Sequence, residues 1–101
     1  MSVWHLHELR EVLLQKGWRI LAELPGDGYG VPGSWAIQRS THTSPLYIDF
    51  DGFDDMVCLP LSRAYGCAVR GHRVLSLYFG KSKRVWAGQL RAFIDGLDAL
   101  P

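Results

Sequence analysis

Residues 3–16, VWHLHELREVLLQK, put Val3, Leu6, Leu9, Val12 and Leu13 on one side of a helical wheel and Glu8, Glu11 and Gln15 opposite. That spacing predicts an amphipathic helix. Ser2 can cap its start and Gly17 can end it. Trp4 falls off the apolar stripe, so it either meets another part of the fold or is exposed. The period then changes. Over 18–24, Trp18, Ile20, Ala22 and Leu24 alternate with Arg19, Leu21 and Glu23, the pattern of a half-buried strand. PGDGYGVPG at 25–33 forces a loop, and SWAIQRS (34–40) and LYIDF (46–50) read as further strands separated by the turn THTSP.

Asp51-Gly52 is a strong two-residue hairpin signal, because both central residues of such a turn must take φ > 0. In the register it sets, Phe50 faces Phe53, Ile48 faces Asp55 and Asp49 faces Asp54. The aromatic pair supports that register and the like-charged pair opposes it. Pro60 argues against a central strand nearby. Residues 64–69 and 73–79 form a hairpin closed around Arg70-Gly71-His72-Arg73. Over 83–100, Trp86, Leu90, Phe93, Ile94, Leu97 and Leu100 occupy one arc of a helical wheel, opposite Arg84, Arg91, Asp95 and Asp98, with Ser82 as N-cap. Gly88 and Gly96 weaken this helix by about 1 kcal/mol each relative to alanine, unless another backbone packs closely.

The element order is helix, about five strands, helix. The short connections favour an antiparallel sheet, since parallel strands need crossovers. The expected fold is a two-layer α+β domain over residues 1–101, with both helices on one sheet face.

Composition changes this picture little. Hydrophobic residues make up 48% and charged residues 21% of the 101 residues, as in an ordinary globular chain. The net charge of +1 lacks the basic surplus that drives nonspecific nucleic-acid binding. No apolar run approaches the roughly 20 residues needed to span a bilayer. With no signal-peptide pattern at the start, a cytoplasmic location is expected. Cys58 and Cys67 match no zinc or redox spacing and read as buried reduced thiols.

Four tryptophans are many for this length, and any left bare would mark a contact site. LYIDFDGFDDM, 46–56, holds four aspartates. Its Asp-x-Asp at Asp49 and Asp51 resembles the nucleophile motif of haloacid-dehalogenase-type phosphatases, a family that needs a parallel sheet. An EF-hand register is missing. GDGYGVPG is followed by a strand where a phosphate-binding loop would need a helix. Lys81, Lys83 and Arg84 at the start of the last helix oppose its dipole, which an anion would relieve. With Arg70, His72 and Arg73 they could form a basic edge. His5 and His7 point apart on a helix and cannot chelate one metal; surface or capping roles are expected for the histidines. Ser34, Ser40 and Ser44 sit in turn contexts where serine is ordinary. No nucleophile, base and orienter stand out together.

The organisation resembles small α+β proteins encoded by bacterial integron cassettes, and small immunity or antitoxin-type proteins. The segments that carry this are GW after the first helix, SWAIQR, LYIDFDGF, and SLYFGKSKRVWAGQLRAFIDGL. The resemblance implies a binding role without a cofactor and frequent homodimers. The expected function is therefore non-enzymatic binding of a protein partner or small ligand. Trp4, Tyr29 and Trp35 would be aromatic contacts, and Asp49, Asp51, Asp54 and Asp55 an acidic rim suited to a basic toxin. The alternative is a small metal-dependent hydrolase using Asp49 and Asp51. A third reading, nucleic-acid binding through 70–73 and 81–84, has only local basic groups behind it.

Overall fold

A computed structural model describes residues 3–26, 31–40, 44–54, 57–58, 60–80 and 82–100, without the side chains of residue 3 and residues 53–58. Helix α1 spans Val3–Gln15. Its end follows from glycine chemistry. Gly17 takes φ 87°, its N–H donates to Leu14 O (3.2 Å), and Trp18 N–H donates to Leu13 O (2.9 Å). This is a Schellman ending, and Trp18 beyond it is buried in the core. The chain then enters β1 (Arg19–Pro25), followed by β2 (Gly33–Gln38) and β3 (Leu46–Asp51). A small hairpin, β4 (Phe53–Asp54) with β5 (Val57–Cys58), and a 3-10 turn at Leu61–Arg63 lead to β6 (Gly66–Val69) and β7 (His72–Tyr78). Helix α2, Lys83–Asp98, closes the described chain, and Ser82 Oγ accepts from Val85 N–H (3.3 Å) at its N-cap.

The five-stranded sheet is antiparallel, in the order β1-β2-β3-β6-β7. The architecture is the expected α+β one. Both helices cover the face built by Trp35, Ile37, Ile48, Phe50, Cys67, Val69 and Leu77, which share one core with Leu9, Leu13, Trp86, Leu90, Phe93, Ile94 and Leu97. The helices run side by side in the same direction. At their starts His5 Nε2 donates to Gly80 O (2.9 Å) and Trp4 meets Trp86 edge-on. At their ends Trp18 Nε1 donates to Asp98 Oδ1 (3.1 Å). His5 is therefore buried among Trp4, Phe79 and Trp86 rather than at the surface. It stands four and eight residues before Leu9 and Leu13, on the innermost line of the helix.

Two local expectations are corrected. The alternation of 18–24 does not persist: Leu21 is an extra residue between Ile20, opposite Ile37, and Ala22, opposite Ala36. Ala22 and Leu24 consequently leave the core face. Glu23 joins it beside Trp35, where Arg10 of α1 meets its carboxylate at 2.6 Å. The second correction concerns Asp51-Gly52, which does not close a hairpin on β3. Both edges of β3 are occupied, by β2 and β6, so Phe53 and Asp54 pair with Cys58 and Val57 instead. Asp49 lies opposite Ser34 and Ala68, not Asp54. Both edge strands also carry register shifts, at Leu21 on β1 and across residues 73–75 on β7. Such bulges blunt an exposed edge against pairing.

The β6–β7 turn is the expected hairpin. Gly71 takes φ 83°, and a Cβ there would meet nothing within 4 Å. Gly88, inside α2, is equally open. The same substitution should thus act with opposite sign at the two sites. Gly71→Ala is expected to lose about 1 kcal/mol through left-handed strain, and Gly88→Ala to gain about 1 kcal/mol through helix propensity. Urea midpoints read at constant slope check this. Gly96 is not open: the Leu75 side chain occupies the place of its Cβ.

Candidate functional site

On the helix-free face of the sheet, alternation brings polar side chains from adjacent strands together. Ser34 on β2, Tyr47 and Asp49 on β3, and Arg70 just after β6 all point away from the core, because Trp35, Ile48, Phe50 and Val69 point into it. Asp49 is the centre. Its Oδ1 accepts from Ser34 Oγ (2.6 Å) and Arg70 Nη2 (2.8 Å), and its Oδ2 accepts from Arg70 Nε (3.1 Å). The arginine thus grips the carboxylate as a fork. Its guanidinium also lies 4.6 Å above the Tyr47 ring, a cation–π contact.

The pair is asymmetric in exposure. The Asp49 side chain is 12% exposed and the Arg70 side chain 54%. Burial would raise the Asp49 carboxyl. The hydrogen bonds from Arg70 and Ser34, with the charges of Arg70 and Arg73, outweigh burial and hold it below the ordinary aspartate value. The hydrogen bond to Asp49 raises Arg70 in turn, so it stays fully charged. Leu24, Pro25 and Val31 wall the other side, and the six residues enclose an open hollow of about 270 Å³.

The acidic rim reads differently once placed. Asp49 is neutralised by Arg70, and Asp51, on the same face, stands 3.8 Å from Arg73. Asp55 and Tyr29 lie outside the described residues, as does the side chain of Asp54. The exposed group at the centre is a cation, which does not favour a basic partner at Asp49. The Asp49 oxygens are engaged by Ser34 and Arg70, which leaves them little capacity for a metal ion. Among the described residues no three His, Cys, Asp or Glu side chains converge. Trp35 is 1% exposed and is a core residue, not a surface contact. Trp4 is half-buried, stacked on His5 at 3.6 Å with Lys83 Nζ 5.7 Å from its ring.

Lys83 therefore belongs to the helical layer and Arg70 to the opposite face, so the two basic groups do not form one edge. Lys81 is outside the described residues, and Arg84 is exposed. Burial, with Asp51 adding to it, pushes the Cys67 thiol far up, which makes it inert as a nucleophile. Reasoning from sequence missed Ser34, which it assigned to a turn, and Tyr47, and it placed Arg70 only in a basic edge. A larger groove of about 640 Å³ runs between the helices over Val12, Trp86, Leu90 and Ile94. Its rim mixes Glu8 and Asp95 with Lys16 and Arg91, and Glu8 already accepts from Trp86 Nε1 (3.2 Å).

The fold and this site define a two-layer α+β domain with an arginine–carboxylate pair on its open sheet face. No protein-family model, curated protein or solved structure matches the chain. No helix among the described residues is long and apolar enough to cross a membrane.

Proposed function

We propose that this is a non-enzymatic binding protein, of the small immunity-like or accessory type that its organisation resembles. It engages a protein partner through the helix-free face of the sheet, with Arg70 as the central contact. The observation behind this reading is the state of Arg70. Its guanidinium is held by Asp49 on one edge and by Tyr47 beneath, yet more than half of the side chain is exposed. Arginine and tyrosine are, with tryptophan, the side chains enriched among residues that dominate interfaces. A side chain ordered before binding loses less entropy on association. Leu24 and Val31 add apolar surface beside it, and Arg73 lies near on the β7 edge.

The test is affinity capture from the native host with immobilised wild type, Arg70→Ala and Arg84→Ala. Arg84 sits on α2, in the opposite layer, and controls for net charge. A partner held by wild type and Arg84→Ala, but weakened roughly 30-fold or more by Arg70→Ala, is the expected result. Equal retention by all three proteins, or no retention by wild type, would overturn the assignment.

A further inference from the structure

We propose that the hollow around Arg70 is a recognition site for a single carboxylate, supplied by an acidic side chain of the partner. The inference rests on the binding role just proposed and adds the chemistry of the contact. Arginine has five N–H donors. Asp49 takes two of Arg70's, the one on Nε and one on Nη2. Three remain, the second on Nη2 and both on Nη1, and one from each Nη forms the end-on edge of the guanidinium. That edge matches the spacing of two carboxylate oxygens.

Asp49 offers far less. A carboxylate has about four acceptor positions. Ser34 Oγ, Arg70 Nη2 and Arg70 Nε fill three of them. The unmet hydrogen-bonding capacity is therefore mostly donor, which calls for an acceptor-rich ligand. A cation would find one remaining acceptor position next to a guanidinium, and would be repelled by it.

Size and charge narrow the class further. About 270 Å³ falls below the ~300–1,000 Å³ of ordinary small-molecule pockets, and suits one side chain. Arg70 and Arg73 together balance Asp49 and Asp51 before anything binds. A singly charged carboxylate adds one negative charge, whereas a phosphate would bring up to two beside Asp49. The apolar wall of Leu24, Pro25 and Val31 fits the methylene stem of a glutamate or aspartate. Asp49 and Asp51, two of the aspartates that suggested a basic partner in the sequence, thus stand beside arginines, and Arg70 calls for an acidic one.

The test follows the Arg70 Nε–H resonance, and the amide resonances of Ser34 and Tyr47, in ¹H–¹⁵N spectra at fixed ionic strength. Sodium acetate, sodium chloride, acetamide, methylammonium chloride and sodium phosphate are titrated separately. Acetate is expected to give a saturable shift at roughly 10–100 mM, and chloride only a linear drift. Arg70→Lys keeps the charge and loses the fork, so it should abolish saturation while the rest of the spectrum stays dispersed. Acetate superimposing on chloride overturns the proposal, as does saturation by acetamide, methylammonium or phosphate at equal or lower concentration. Acetate saturation with partner capture unaffected by Arg70→Ala would leave the carboxylate site standing and remove the interface assignment. Loss of capture without any acetate response would do the reverse.

Discussion

Trp86→Ala is expected to lower stability by about 3–5 kcal/mol. For a domain whose total is on the order of 5–15 kcal/mol, that brings the chain close to unfolding. The reason is position as much as size. Trp86 is 2% exposed and ties α2 to α1: its ring meets Trp4 at 5.8 Å, His5 at 4.7 Å and Phe79 at 5.6 Å. Its Nε1 donates to Glu8 across the helix pair. Further along, the groove over Val12, Leu90 and Ile94 separates the helices until Trp18 meets Asp98 at their ends, so this cluster is what seats α2 at its start. Trp86→Phe keeps an aromatic ring and removes the indole donor, and should cost clearly less. Urea denaturation of the two variants measures the difference. A loss under about 1 kcal/mol for Trp86→Ala would mean that α2 is not seated through this residue.

Local signals in the chain are reliable where the chemistry itself is local. Gly17 ends α1 because a left-handed residue is required there, and Ser82 starts α2 because an N-cap oxygen is required. The β6–β7 turn forms around Gly71 for the same kind of reason. Asp51-Gly52 carries an equally good local turn signal and fails. Hairpin pairing there would use an edge of β3 that non-local pairing already fills, and would set Asp49 against Asp54. The observed pairing places Asp49 beside Ser34 and within reach of Arg70. An exchange of like-charge repulsion for an ion pair outweighs turn propensity. The Leu21 bulge was likewise invisible, because an extra residue leaves the apolar count unchanged and alters only the face.

The candidate site was legible in one member. Asp49 stood out in the Asp-x-Asp of LYIDFDGFDDM and as the residue set against Asp54. Its partners lie 15 and 21 residues away in sequence, and nothing local connects them. A usable signal did exist: Ser34, Asp49 and Arg70 each directly adjoin a large apolar residue (Trp35, Ile48 and Phe50, Val69). In a strand, that parity puts all three on the face away from the core. Only the strand order, with β2, β3 and β6 adjacent, turns three separate parities into one site. Trp35 shows the converse. A large aromatic suggests a contact surface by type, but its parity with Ile37 places it in the core.

The exposure asymmetry of the Asp49–Arg70 pair predicts unequal costs for removing each partner. Asp49→Asn leaves an arginine that reaches water, and should lose roughly 1 kcal/mol or less, as for a solvent-screened pair. Arg70→Met leaves a nearly buried carboxylate with only Ser34, and should lose about 1–3 kcal/mol at neutral pH. The two variants also differ in pH dependence. In the wild type the folded Asp49 sits below its ordinary value near 3.8. It therefore stabilises the fold fully above the unfolded value, and this contribution fades as pH falls through the lower folded one. In Arg70→Met burial is opposed only by the Ser34 hydrogen bond and the charge of Arg73, so the folded carboxyl moves up from its wild-type position. The stabilisation that ionised Asp49 gives the folded state above the unfolded value shrinks accordingly. The gap between wild type and Arg70→Met should thus widen with rising pH and level off once both carboxyls are ionised. In Asp49→Asn this source of pH dependence is absent. Urea unfolding between about pH 3 and 7 reads all three slopes, and parallel curves for wild type and Arg70→Met would show that Arg70 does not hold the charge of Asp49.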